Sequence, residues 1–446
     1  MDAIKVGLLG FGTVGGGTFT VLARNQQEIE RRAGRGIEIA RIAVRNPARA
    51  EAQRARLIKA LGAPPAWHTQ IGDDLFALVD DASLDIVVET IGGTELAREL
   101  VLRAIGNGKH VVTANKALLA VHGTEIFRAA HERGVMVAFE AAVAGGIPII
   151  KALREGLSAN RIEWIAGIIN GTTNFILSEM RDRGLDFASA LADAQRLGYA
   201  EADPTFDIDG IDAAHKLALM SALAFGVPVQ FDKAHVEGIR HLQATDIRYA
   251  EELGYRVKLL GITRRRPEGI ELRVHPTVVP AKRLLANVDG AMNAVAVSAD
   301  AVGMSLYYGK GAGAEPTASA VVADLVDVTR LHTADPEHRV PHLAFQADRL
   351  SDTPILPIGS VTSGYYLRLR VADETGVLAE ITRLLAEAGI SIHAMLQKES
   401  EGEAATDLIL LTHPTREADA DRAIAAIEAL PTVHSKVIRL RMESLD

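Results

Sequence analysis

The 446-residue chain has no cysteine. That single absence excludes disulfides, thiolate zinc sites and cysteine nucleophiles. Its 14 histidines form no HExxH or other close ligand pair, so a transition-metal site has no support. Positive charge is also short: the net charge is −9, opposite in sign to the basic footprint of a nucleic-acid protein, and no nucleic-acid partner is expected. The one dense basic run, Arg264-Arg265-Arg266, precedes Pro267 and a Glu-Gly pair and reads as a solvated turn. The opening MDAIKVGLLG lacks a basic n-region and passes from one short apolar run into glycines. It is neither a signal peptide nor a membrane span, so a cytoplasmic location without a membrane partner is expected.

What is present is an ordinary globular balance, 48% hydrophobic and 24% charged, at a length for two or three domains. Residues 1–140 alternate short apolar runs (4–9, 37–44, 85–89, 110–113, 135–139) with amphipathic stretches (94–107, 116–133). That alternation predicts a doubly wound parallel α/β sheet. Residues 141–340 change pattern. Helical segments at 148–156, 172–184, 187–198 and 211–225 precede strand-like runs at 255–263, 270–279 and 294–298, which predicts an α+β domain. The helix after Gly313 is expected to return to the first domain. Residues 341–362 have the Pro, Gly and Ser content of a linker, and 363–446 read as βαββαβ.

Directly after the first strand comes Gly10-Phe11-Gly12-Thr13-Val14-Gly15, a GxGxxG. The first glycine permits a tight turn, the second lets the backbone approach a pyrophosphate, and the third allows close helix–strand packing. The anion would sit at a helix N-terminus, where unpaired N–H groups favour it. The second strand ends Ala43-Val44-Arg45-Asn46-Pro47, with no carboxylate for a ribose 2′-hydroxyl. Arg45 suits a 2′-phosphate, so NADP is expected as cofactor, with NAD the open alternative.

Further on, Asp212 and Lys216 stand four apart on a predicted helix that Asp209 can cap. The residues alone leave two readings open, a surface ion pair or a charged pair at the mouth of a cleft. The stretch Ala194-x₃-Gly198-Tyr199-Ala200-x₂-Asp203-Pro204-x₂-Asp207-Ile208-x-Gly210-x-Asp212-x₃-Lys216 resembles the signature of homoserine dehydrogenases at every defined position. Other matching pieces follow in order: the glycine loop, Glu89-Thr90-Ile91-Gly92-Gly93, Thr113-Ala114-Asn115-Lys116, residues 140–148, Asn170-Gly171-Thr172-Thr173-Asn174, and Gly309-Lys310-Gly311-Ala312-Gly313. The resemblance covers essentially all of residues 1–335 and implies that 141–340 serve substrate binding, catalysis and dimerisation.

It implies reversible hydride transfer between L-homoserine and L-aspartate 4-semialdehyde, within threonine, methionine and isoleucine biosynthesis. Lys216 is then the proton donor, with Lys116 assisting at the same oxygen or the cofactor, and Glu201 and Asp212 hold the substrate ammonium. The resemblance places nucleotide contacts on Phe11, Thr13, Val14, Thr90, Lys116, Gly198 and Gly313. It also implies a sodium ion on the backbone carbonyls of Glu140, Val143, Gly145 and Ile147.

At the C-terminus, residues 365–371, then Asp373-Glu374-Thr375-Gly376-Val377-Leu378-Ala379, an amphipathic helix and Gly389-Ile390-Ser391-Ile392 resemble an ACT domain. That implies an amino-acid effector, threonine, near Asp373, Gly376, Gly389 and Ile390, and assembly as a homodimer or homotetramer. The alternative is a βαββαβ unit serving only subunit contacts. Truncation after about residue 345 is expected to leave an active enzyme that threonine no longer inhibits. No kinase-like stretch precedes residue 1, so a fused aspartate kinase is not expected. Two rival functions remain. Another NAD(P) dehydrogenase would need a different acid–base group, and no comparable cluster is visible. A non-catalytic amino-acid sensor would be favoured by loss of Lys216, Asp212 or Glu201, and all three are present.

Overall fold

Consecutive Val, Ile and Leu residues with little polar alternation make strands that must be covered on both faces. The computed structural model, which describes residues 2–398 and 404–446, places them accordingly. The chain forms two compact units: Met1–Ile165 with Ala214–Asp232 and Met292–Thr353, and Ala166–Ala213 with Lys233–Ala291 and Pro354–Asp446.

In the first unit, β1 (Ile4–Leu9), β2 (Ile37–Ala43), β3 (Gln70–Gly72), β4 (Ile86–Glu89), β5 (His110–Thr113) and β6 (Val137–Ala138) form one sheet in the order 3-2-1-4-5-6. Every pairing is parallel. The run expected at 135–139 is cut short because the chain turns into a tight helical turn at Glu140–Ala142. The helix Pro47–Leu61 is not legible as an apolar stripe, since Ala50 is its one buried residue. Its ends carry the signal instead: Asn46 accepts from the Arg49 N–H at the start, and left-handed Gly62 closes the other end. The helix Ala314–Leu331 returns to this sheet, as expected. Ala318, Val321 and Leu325 join the core made by Ile4, Val6, Leu8 and Phe19. It lies so close to the helix Thr13–Arg24 that a Cβ on Gly17 would sit 2.4 Å from the Ala314 carbonyl. Ahead of it, Met292–Ala299 and Gly303–Lys310 form an antiparallel hairpin.

In the second unit the long strands Tyr255–Arg266 and Gly269–Pro280 pair antiparallel. The basic run is therefore not a solvated turn. It ends a strand, where Arg266 pairs with buried Glu271 at 2.6 Å and Arg264 with buried Glu443 at 3.0 Å. The C-terminal module has the expected βαββαβ order. Its strands lie in the order Ile438–Met442, Thr362–Ala372, Ala405–Thr412, Ile392–Gln397, and Leu367, Ile381, Leu385, Leu410 and Ile427 pack between sheet and helices. The strand Ile438–Met442 also pairs in parallel with Gly269–Pro280, through Thr277↔Arg441 and Val278↔Met442. Within the stretch expected as a linker, the Ile270 N–H donates to Pro354 O and the Leu356 N–H to Ile270 O.

Candidate active site

The glycine loop has the geometry its sequence requires. Gly10 has φ +92°, and a Cβ there would lie 2.9 Å from the Thr90 carbonyl; one on Gly15 would lie 2.4 Å from Gly10 O. A Cβ on Gly12 would meet nothing within 4 Å, which leaves the space a pyrophosphate needs. Gly12 caps the helix Thr13–Arg24 without a side-chain hydrogen bond, so the first-turn N–H groups of Thr13 and Val14 remain donors for an anion. The Phe11 ring is buried edge-on against Phe19, which leaves only its backbone to meet a nucleotide. The Thr90 hydroxyl donates to Leu9 O at 2.9 Å and holds the tip of β4 against the loop. Arg45 stands exposed beyond the tip of β2, with no ion-pair partner among the described residues. Gly313, with φ +128°, begins the helix that lies along Thr13–Arg24.

Lys116 opens the helix Lys116–Arg133, whose N-terminus is capped by Asn115 through Leu118 N at 3.1 Å. Asn115 is itself held by Glu89, a residue without a role in the sequence reading. This fully buried carboxylate accepts from Ile91 N (2.9 Å), Gly92 N (3.1 Å), the Thr113 hydroxyl (2.6 Å) and Asn115 Nδ2 (3.5 Å). It ties together the ends of β4 and β5, from which Thr90 and Lys116 project. Burial pushes its pKa up, against the opposing effect of those donors.

The turn at 140–147 is drawn into an unusual conformation. Ala144 and Gly145 have φ +55° and +54°, and a Cβ on Gly145 would lie 2.4 Å from Gly311 O. The Glu140 carboxylate accepts from Ile150 N (2.9 Å) and Lys151 N (2.8 Å), while its own N–H donates to Asp324 (2.8 Å). Burial and the neighbouring Asp324 raise Glu140 to about 7, and burial raises Asp324 to about 6. No His, Asp and Glu cluster able to hold a metal occurs among the described residues. A cation here would rest on backbone carbonyls, and among the described residues those of Val143 and Gly145 accept no backbone hydrogen bond.

Lys216 lies on the helix Ile211–Phe225, one turn beyond Asp212, and both are buried. In the second unit, Asp212 accepts from Asn170 Nδ2 at 2.8 Å, and the same nitrogen donates to Asp207 at 2.7 Å. Asn170 Oδ1 meanwhile caps the helix Gly171–Arg183 through Thr173 N. The motif was visible in sequence; this use of it was not. Asp209 gives its carboxylate to Arg240. Gly198, with φ +79°, turns the chain into the exposed loop carrying Glu201, and the Thr172 hydroxyl holds Tyr199 O at 2.7 Å.

The four expected effector residues lie at the two ends of one helix. Asp373 and Gly376 stand before the helix Val377–Glu387, and Gly389 and Ile390 follow its other end. Eleven helical residues separate the pairs by about 16 Å.

Comparison with known proteins accords with this geometry. A family model described as homoserine dehydrogenase matches residues 148–326, its NAD-binding domain model matches 10–140, and an ACT domain model matches 365–432. The homoserine dehydrogenase of Pseudomonas aeruginosa is 60% identical over 100% of both chains, and that of Neisseria gonorrhoeae is 57% identical, again over 100% of both. The crystal structure of a homoserine dehydrogenase from Thiobacillus denitrificans superimposes with a TM-score of 0.94 at 66% identity, covering 100% of this chain and 99% of that one. A hyperthermophilic archaeal homoserine dehydrogenase, solved in complex with NADPH, gives a TM-score of 0.61 at 27% identity over 75% of this chain and 99% of its own. With its NAD-binding domain, its homoserine dehydrogenase domain and its C-terminal ACT domain all matched, the chain belongs to the homoserine dehydrogenase family of oxidoreductases.

Proposed function

We propose that Lys216 is the proton donor in the reversible, NADP-dependent reduction of L-aspartate 4-semialdehyde to L-homoserine by this chain. The observation that carries this is the placement of Asp212 and Lys216 one turn apart on a largely apolar helix, with Asp212 buried and oriented by Asn170. A bound nicotinamide cofactor supplies the hydride. Lys216 passes a proton to the aldehyde oxygen as negative charge develops there, and Lys116 stabilises the same oxygen or the cofactor. Asp212 and Glu201 anchor the substrate ammonium through charge-assisted hydrogen bonds.

NADP is favoured over NAD because Arg45 offers an unpaired guanidinium beside the ribose position, with no carboxylate at the tip of β2. A sodium ion fits the carbonyl-lined turn of Glu140, Val143, Gly145 and Ile147 as a structural cation. Threonine is the proposed effector of the ACT domain. Because Asp373–Gly376 and Gly389–Ile390 lie at opposite helix ends, a complete effector site needs a second copy of the module, in keeping with a homodimer or homotetramer. A cytoplasmic setting fits an enzyme using a soluble nicotinamide, and no described helix is long and apolar enough to cross a membrane.

The deciding assay is NADPH or NADH consumption with aspartate semialdehyde, with and without threonine. Absence of turnover with either coenzyme would overturn the reading.

A further inference from the structure

The βαββαβ module sends its last strand into the substrate-domain sheet, and Arg441 on that strand is almost fully buried. Its guanidinium makes two bonds to Glu237, at 2.8 and 2.9 Å, and also pairs with Glu417 on the module's second helix. His235 Nε2 completes the knot at 2.8 Å from Glu237. Burial opposes ionisation of Glu237, but His235 and Arg441 hold its carboxyl well below the usual range, so the pair is charged.

Glu237 is adjacent to the substrate loop. Its N–H is fixed on Val274 O at 2.8 Å, and two residues on, the Ile239 N–H donates to Ile208 O at 2.8 Å. Between them Gly238 passes so close to the loop that a Cβ would lie 2.2 Å from Ile208 O and 2.5 Å from Asp209 Cα. Gly210, with φ +83°, packs in turn against Val236 and Val274. Arg240, three residues beyond Glu237, clasps Asp209 and the Thr205 hydroxyl. The segment seated in this way carries Asp207 and runs straight into the first turn of the helix Ile211–Phe225, which carries Asp212; Asn170 joins the two carboxylates. Backbone packed this tightly against a neighbour follows its displacement.

We propose that Arg441 is a positioning residue for the substrate site: through Glu237 it fixes the 235–240 segment, and that segment seats the chain that bears Asp207 and leads into the helix turn of Asp212. The last strand of the C-terminal module is thereby a working part of substrate binding, and a shift of that strand on effector binding reaches Asp212 without a separate relay. The proposal rests on the reading of Asp212 as a substrate anchor.

The test is steady-state kinetics on the full chain, comparing Glu237→Gln, Arg441→Lys, Arg441→Met and, as control, Asp212→Asn. KM is the informative readout, because a smaller folded fraction lowers Vmax and leaves KM unchanged. Glu237→Gln and Arg441→Met are expected to raise KM for homoserine by ~5–100-fold with KM for NADP within about two-fold. Arg441→Lys, which keeps the charge and loses the bidentate fork, is expected to fall between. If Asp212→Asn raises the homoserine KM while Glu237→Gln and Arg441→Met show the wild-type value, Arg441 is structural only and the proposal fails. An unchanged KM in Asp212→Asn would instead overturn the substrate reading itself. Should Arg441→Met not fold, Glu237→Gln, which keeps size and shape, decides the matter alone.

Discussion

Asn170 donates from a single amide nitrogen to both Asp212 and Asp207, at 2.8 and 2.7 Å. Asn170 thereby orients Asp212, the proposed anchor of the substrate ammonium. Asp212→Asn is therefore expected to weaken homoserine binding by roughly 2–5 kcal/mol with little effect on NADP. Asn170→Ala, which removes a donor that orients Asp212, is expected to raise the homoserine KM ~10-fold or more. Unchanged KM values in both variants would return Asp212 to a purely structural pairing.

Lys216→Ala is expected to lower kcat by about 10²–10⁴-fold while NADPH still binds, because the proton donor is removed and the glycine loop is untouched. Fluorescence titration of NADPH alongside turnover separates the two effects. Near wild-type kcat would transfer the proton-donor role to another group.

Arg45→Ala is expected to raise KM for NADP about ten-fold or more and to change KM for NAD little, since only NADP presents a 2′-phosphate to a guanidinium. Equal effects on both coenzymes would mean that Arg45 merely ends the sheet edge.

The nucleotide sheet was legible because its strands are buried on both faces and read as short apolar runs, and because a glycine at 10, 12 and 15 has few other uses after such a run. The βαββαβ order of the module was equally plain. Pro47–Leu61 was missed because it buries almost nothing, so periodicity is silent and only its caps speak. Gly303–Lys310 was missed because none of its residues is buried, so it lacks the unbroken apolar run that marks the buried strands. The basic run was misread because its partners, Glu271 and Glu443, include one almost 180 residues away. The same limit hid the second use of Asn170. Its local pattern announces a helix cap, which it is, but nothing local points to an aspartate 42 residues on.

The buried acids Glu140 and Asp324 give a pH dependence of defined sign. Both have folded pKa values, about 7 and about 6, above their unfolded values of 4.5 and 3.8. Between those limits the folded chain binds more protons than the unfolded one. Their contribution therefore favours the fold below about pH 4, declines as pH rises, and is level above about pH 7. Asp324→Asn keeps an acceptor for the Glu140 N–H and removes the titrating group. Relative to wild type it is expected to gain on the order of 2–3 kcal/mol between pH 4 and pH 7. Urea unfolding at both pH values measures this, and a difference independent of pH would reject it.

The structure changes what truncation can reveal about regulation. Removing everything after residue 345 was expected to leave an active enzyme deaf to threonine. It would also remove Glu443 from Arg273, a residue 1% exposed, and Arg441 from the edge of Gly269–Pro280. Arg273 would keep its pairing with Glu271, but the buried charge network would lose one carboxylate together with the whole strand. The truncated chain is expected to be insoluble or inactive, and its silence would say nothing about the effector. A point change at the module's own turn is the better probe. Asp373 lies just beyond the strand Thr362–Ala372, away from the Arg441 knot, so Asp373→Ala should leave turnover without threonine intact. If threonine acts through this module, the variant should lose the ~5–150-fold coupling typical of allosteric sites. Inhibition at the same threonine concentration in Asp373→Ala would place the effector elsewhere. A truncated chain that folds and turns over normally would show that the shared strand is dispensable.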